Sequence, residues 1–189
     1  MAADSAGNDI TLVSVPVTGF VALAPFGTVF PTPAEGADPD LDLAAAFKKL
    51  GLLKTDGGPG WTFEQTGDAL EFWQEGYSLP SGLANVQLAA TAAEQNAWVR
   101  QIKSGKVPDA NGYITFDGGG HGTQYVAFTE EIFKNGAIRR RIAPNVQVKT
   151  VVEDRNTRGE IVGDAFTFKV SRSPLVANEH FGEWVLPPA

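Results

Sequence analysis

The tripeptide Lys134-Asn135-Gly136, set between two runs of alternating apolar residues, constrains this chain more than any other feature. Asn135 and Gly136 both tolerate positive φ, as a two-residue type I′ loop requires, and the flanks Tyr125 to Phe133 and Ala137 to Ile142 read as strands. Counting outward from such a loop places Phe133 opposite Ile138, Glu131 opposite Arg140 and Glu130 opposite Arg141. Two acid–base pairs then fall in one register, each contributing roughly 0.2–1 kcal/mol as cross-strand neighbours. A hairpin of this kind belongs to a β scaffold.

Further strands are expected at Gly19 to Ala24, in two short pieces between Trp61 and Gln74, and at Leu83 to Ala90, where Val86 and Leu88 share one face and Asn85 and Gln87 the other. Gly112 to Phe116, Thr123 to Phe133, Asn145 to Asp154 and Glu160 to Ser171 continue the pattern. In the last two, Val146, Val148 and Val152 form one apolar face and Phe166, Phe168 and Val170 another. One buried and one polar side per strand predicts a mainly β, α+β fold: an antiparallel sandwich or barrel. Two helices flank it. Thr91 and Glu94 form an S/T-x-x-E capping box before a helix at about 92–103, with Trp98 and Ile102 on its buried side and Gly105 and Pro108 ending it. Asp42 caps a shorter one at about 42–50, where Leu43, Phe47 and Leu50 share a face and Gly51 supplies the stop. Pro31 to Asp40 reads as a loop, residues 1–18 and 172–189 as extended N- and C-terminal arms, and the whole of 1–189 as one domain.

Cysteine is absent, which removes disulfides, thiolate metal sites and a Cys nucleophile. The first nineteen residues carry no Lys or Arg, unlike a secretory signal, and Pro16, Gly19, Pro25 and Gly27 interrupt the apolar stretch from Ile10 to Phe30. The expectation is a soluble chain with no membrane partner. A formal charge of −7 argues against wrapping a phosphate backbone.

Asp38, Asp40 and Asp42 imitate the opening of a calcium loop, but Leu43 and Lys49 stand where Gly and Glu are needed, so a solvated acidic loop is the better reading. Asp117-Gly118-Gly119-Gly120-His121-Gly122 could present backbone N–H groups or one imidazole, yet a single histidine without a spaced partner reads as a strand connection. His180, beside Glu179 and Glu183, lacks metal-ligand spacing. Glu71 and Glu75, near Trp73 and Tyr77, imitate a glycosidase pair but need a cleft. Alternation sends Arg139 and Arg141 to the face opposite Arg140, which makes a poor nucleic-acid patch and good partners for Glu130 and Glu131. No catalytic, metal or cofactor residue is assigned, no cofactor is expected, and the chain is not read as an enzyme.

The order of segments carries a resemblance. Phe20-Val21-Ala22-Leu23-Ala24-Pro25-Phe26-Gly27-Thr28 comes first, then Ala46-Phe47-Lys48-Lys49-Leu50-Gly51-Leu52-Leu53 leading to Asp56-Gly57. Val86-Gln87-Leu88-Ala89 feeds a helix through Glu94 and Asn96, and Phe133-Lys134-Asn135-Gly136 runs into Arg141-Ile142-Ala143-Pro144. Over about Phe20 to Trp184 this resembles a major tail tube protein of long-tailed, siphovirus-type bacteriophages, whose fold is shared by secretion-system tube proteins of the Hcp type. The resemblance implies a structural virion protein that forms hexameric rings joined through a central β-barrel and stacked into a tube for genome ejection. It implies as partners further copies of the chain, a tape-measure protein, a tail terminator and distal tail or baseplate proteins, with double-stranded DNA passing without specific binding. The place implied is the virion tail, assembled in the host cytoplasm. The Gly118 to Gly122 cluster has no counterpart in that resemblance. Two alternatives stand beside it: a monomeric carbohydrate-binding sandwich stacking sugars on Trp61, Trp73 or Tyr77, and a tube protein of a contractile or secretion system.

Overall fold

The structure, a computed structural model, describes residues 5–118 and 121–188. In chain order the elements are β1 (Pro16–Pro25), α1 (Pro33–Gly36), β2 (Lys48–Lys49), β3 (Gly60–Thr66), β4 (Leu70–Glu71), β5 (Ser78–Leu79), β6 (Leu83–Ala92), α2 (Ala97–Ser104), β7 (Gln124–Phe133), β8 (Ile138–Glu153), β9 (Asp164–Val170) and β10 (Gly182–Leu186). Eight strands form one antiparallel sheet in the order β2-β1-β7-β8-β9-β6-β3, with β10 added beside the first part of β8; β4 and β5 pair separately. The mainly β expectation holds.

One continuous sheet encloses the core by curling. Val21 and Leu23 of β1 share a buried cluster with Leu88 and Ala90 of β6, although β7, β8 and β9 lie between them in hydrogen-bonding order. Strand twist supplies the curl. α2 covers the opening with Val99 and Ile102. Across the gap Phe181 lies 4.9 Å from the Trp61 ring and 5.4 Å from that of Phe63, with the Arg141 guanidinium over all three. The β1–β7–β8 portion is buried on both faces, so Val21 to Ala24 and Tyr125 to Thr129 are buried residue after residue. Its second face, Ala22, Ala24, Val126, Phe128 and Ile142, lies under Phe30, Leu41, Leu43, Phe47 and Trp184.

The β7–β8 hairpin is shifted by one residue from its expected register: Ile132 faces Ile138, Glu131 faces Arg139 and Glu130 faces Arg140. Only Gly136 takes positive φ (+86°), and Gly136 N–H donates to the Phe133 carbonyl. The loop is therefore a three-residue turn ending in a left-handed glycine, not a two-residue type I′ loop. The expected break at Ala143-Pro144 is a bulge inside one long β8: Pro144 and Asn145 together oppose Val126, which suits a residue without an N–H. A second bulge at Lys149 reverses the sides, so Val151 meets Phe166 and packs on the core while Val152 is exposed, contrary to the expected Val146-Val148-Val152 face. Gly112 to Phe116 is not a strand.

Both helix expectations need correction. Over 42–50 there is a turn, then β2 paired to β1; Phe47 packs on the outer cluster and Leu50 in the main core, so these apolar residues serve opposite faces. The real short helix is α1, inside the expected loop, with a Thr32/Glu35 capping box. The longer helix begins five residues later than expected, because Thr91 and Ala92 stay paired with β9. Its cap is Asn96, whose Oδ1 accepts from Val99 N–H at 2.9 Å. Glu94 instead accepts from Leu52 N–H at 2.7 Å. Gly51, at φ +91°, sits against the Glu94 carboxylate, where a side chain would collide.

The C-terminal region is not a free arm. β10 pairs with β8 from Gly182–Ile142 to Leu186–Ile138, Leu186 is buried, and Trp184 Nε1 donates to the Pro33 carbonyl at 2.9 Å. Of the N-terminal arm, Pro16 to Thr18 already belong to β1, and a 3-10 turn at Ile10–Leu12 is tethered to the hairpin by Asn135 Nδ2 donating to the Thr11 carbonyl at 3.0 Å.

Candidate assembly surface

β3 and β6 form the walls of a long hairpin, in register from Gly60–Ala89 to Thr66–Leu83. Beyond Thr66 the walls are bridged by Ser81, whose hydroxyl donates to the Thr66 carbonyl at 2.5 Å, and β4 and β5 continue the hairpin to a tip closed by Phe72 N–H on the Tyr77 carbonyl. Gly67 and Gly76 supply the left-handed residues that turn the chain. On this projection Leu70, Phe72, Trp73, Tyr77, Leu79 and Leu83 are all exposed, Trp73 at 98%. An isolated two-stranded ribbon has no core in which to bury them. Contiguous exposed apolar surface of this kind marks an interaction site.

Two further features concern contact with other chains. Ile10, Leu12, Val13, Val15 and Val17 expose their side chains along the N-terminal segment. Strand edges are open as well: among the described residues β3 pairs only with β6, β10 only with β8, and β2 covers β1 only at Ala22 and Leu23. Such edges are templates for pairing with another strand.

Among the polar candidates, Arg139, Arg140 and Arg141 are all used internally. Arg139 makes a two-pronged contact with Glu131 (2.8 and 2.9 Å), Arg140 meets Glu130 (2.6 Å), and Arg141 meets Glu183 (2.5 Å). The expected pairs Glu131–Arg140 and Glu130–Arg141 are each displaced by one arginine, as the register shift requires, and Arg141 takes Glu183 of β10 instead. Arg140 is 2% exposed and also donates to the carbonyls of Gly36 (3.0 Å), Asp38 and Pro39 (2.9 Å). Asp38 and Pro39 open the segment imitating a calcium loop, so Arg140 ties the backbone at its start. Behind α2, Lys103 pairs with Glu153 and, at 3.0 Å, with the buried Asp164. Burial opposes the lysine charge, but hydrogen bonds to both carboxylates outweigh it and raise its pKa.

His121 Nε2 lies 2.6 Å from the Ile102 carbonyl, and its ring rests against Gly105, the left-handed residue that ends α2. That is a packing role; Gly119 and Gly120 of the same cluster lie outside the described residues. His180 has its pKa lowered, first by burial and then by Arg172, while Glu183 is turned to Arg141 rather than toward it. No group of three or more His, Cys, Asp or Glu able to hold a metal occurs among the described residues. Glu71 and Glu75 stand exposed on the hairpin, not in a cleft. Trp61 is half-buried under Arg141 and Phe181, away from the exposed Trp73 and Tyr77, so the three aromatics offered for sugar stacking do not form one platform.

An apolar projection and, among the described residues, unpaired strand edges mark surface for association with other chains, while Arg139, Arg140 and Arg141 are consumed internally. A family model described as phage tail tube protein matches residues 5–102, and the chain belongs to that family. It is accordingly a structural protein of the virion tail. None of the curated proteins compared matches the chain.

Proposed function

We propose that this chain is the repeating subunit of a tail tube: copies close into hexameric rings, the rings stack, and the resulting channel conducts the genome into the host. The observation that carries the reading is the β3–β6 hairpin, whose six large exposed apolar side chains have no place in a solitary domain. A neighbouring copy would bury them, at about 25 cal/mol per Å² of apolar surface covered. Pairing of open strand edges would remove the same liability for the sheet, and a repeated head-to-tail contact closes a ring when its rotation allows. A tape-measure protein in the channel, a terminator at one end and distal tail proteins at the other complete the partners of this reading.

Charge supports passage without capture. Six copies carry a formal 6 × −7 = −42, and the arginine run that could grip phosphate is neutralised within each subunit. Replacing residues 68–81 by a short Gly-Ser turn tests the role of the hairpin. The variant should keep its circular dichroism and urea midpoint while sedimenting as a small species where the native chain forms large ones. Equal sedimentation of the two would remove the hairpin from assembly, and a native chain monomeric at every concentration would refute the self-assembling subunit and favour an isolated module.

A further inference from the structure

The loop joining β8 to β9, residues 154–163, carries two arginines that the fold does not use. Arg155 and Arg158 are exposed and make no side-chain hydrogen bond or ion pair with any described residue, in contrast to Arg139, Arg140 and Arg141. Of the acids nearby, Asp154 pairs with Lys54 at 2.7 Å, and Glu160 and Asp56 only add to the field on that same lysine. Ile161 stands exposed beside the arginines.

The segment that covers the outer face of β1 and β7 forms a cleft of about 370 Å³. Its floor includes Phe30, Leu41 and Phe47, and its rim Glu35, Asp40 and Asp42. Glu35 is committed to the Thr32 cap, whereas the carboxylates of Asp40 and Asp42 have no partner among the described residues. Arg140, buried at the start of β8, fixes the backbone at this cleft through the carbonyls of Gly36, Asp38 and Pro39. The cleft is thus anchored at one end of β8 and the loop lies beyond the other. At about 3.3 Å per residue, Arg140 to Glu153 spans roughly 40 Å of strand before bending.

Resting on the tail-tube reading, we propose that the 154–163 loop of one subunit enters the cleft of a second copy of this chain, with Arg155 and Arg158 facing Asp40 and Asp42 and Ile161 on the apolar floor. Loop and cleft are different surfaces of one subunit, so the contact is head-to-tail and repeats, which builds a ring or a stack rather than a closed pair. Two unpartnered cations meeting two unpartnered carboxylates beside apolar surface supply register and encounter rate, and make that contact sensitive to salt.

The absence of cysteine makes a crosslinking test unambiguous. The double variant R158C/D42C, assembled and mildly oxidised, should give a ladder of covalent multimers on denaturing gels, whereas a mixture of the two single variants should stop at dimers. In parallel, R155E/R158E should raise the concentration needed for assembly by about tenfold or more, and adding D40K/D42K should restore it. These side chains are surface groups, so urea midpoints should stay close to native. Tubes that form normally without any ladder, or that are indifferent to the charge reversal, would overturn the loop–cleft contact and leave the tail-tube reading standing. Failure of the native chain to assemble would instead defeat that reading and this contact with it.

Discussion

Replacing Arg140 by methionine is the sharpest single perturbation of the folded subunit. The guanidinium is 2% exposed, pairs with Glu130 at 2.6 Å, and donates to three backbone carbonyls of the segment 36–39. Methionine fills much of the volume but leaves a largely buried carboxylate and three carbonyls without their donor. Breaking one side of a buried ion pair typically costs about 3–5 kcal/mol. For an m-value of about 2–3 kcal/mol/M, the urea midpoint should fall by about 1–2.5 M. R140K keeps the charge but cannot fork toward Glu130 and the carbonyls together, so it should lose about 1–3 kcal/mol. Adding E130M to R140M should cost less than the two single changes summed, because no orphaned charge remains. The assay is tryptophan fluorescence in urea at concentrations below assembly, with amide exchange of residues 36–42 as a local readout. A loss under about 1 kcal/mol for R140M, with exchange unchanged, would show that the guanidinium does not hold this segment and that the argument from its geometry is wrong.

Three further outcomes follow from the described contacts. Asn96→Ala should cost about 0.5–2 kcal/mol as loss of the α2 cap, whereas Thr91→Ala, at a strand position, should cost no cap at all; the reverse order in urea melts would restore the capping box expected from Thr91 and Glu94. Trp184→Ala should destabilise by about 1–3 kcal/mol, since a half-buried indole is packed against Gly36 and bonded to Pro33; an unchanged melting temperature would mean that β10 is dispensable to the subunit. Asp154 is held below its ordinary pKa, chiefly by the Lys54 hydrogen bond and then by Gly163 N–H. Its contribution is therefore present above the unfolded Asp pKa and lost as pH falls through the lowered one. D154N should be less stable than native at neutral pH and converge with it in acid, which paired urea titrations will show.

The contrast between residues whose role was legible in the sequence and those whose role was not is physical. Alternation along Val86, Leu88 and Ala90, and along Phe166, Phe168 and Val170, reports burial directly, and each of these residues is in the core. The hairpin signal located the β7–β8 turn but missed its register by one, because the same Asn-Gly pair serves a three-residue loop ending in one left-handed glycine as well as a two-residue loop needing two. Helical spacing of Leu43, Phe47 and Leu50 was misleading since two apolar faces exist and the chain serves both. Thr91 and Glu94 match a capping box, yet pairing with β9 holds Thr91 in a strand and Leu52 takes the glutamate. Contacts across the chain, such as Arg140 with residues 36–39 or Arg141 with Glu183, have no local signal. Trp73 and Tyr77 stood out in the sequence only as candidates for stacking sugars; that they lie on a projecting hairpin, uncovered by any described element, follows from the fold, because the β4–β5 pairing beyond Gly67 has no local apolar pattern to announce it.

Electron microscopy of the purified native chain, concentrated and then reconstructed from the particles it forms, tests the central claim most directly. The account predicts hollow tubes or stacked rings, with six subunits per ring, sheets meeting edge to edge around the channel, and the 67–83 hairpin buried against a neighbouring copy. Dispersed single subunits at every concentration, or aggregates without a channel in which that hairpin stays exposed, would contradict it.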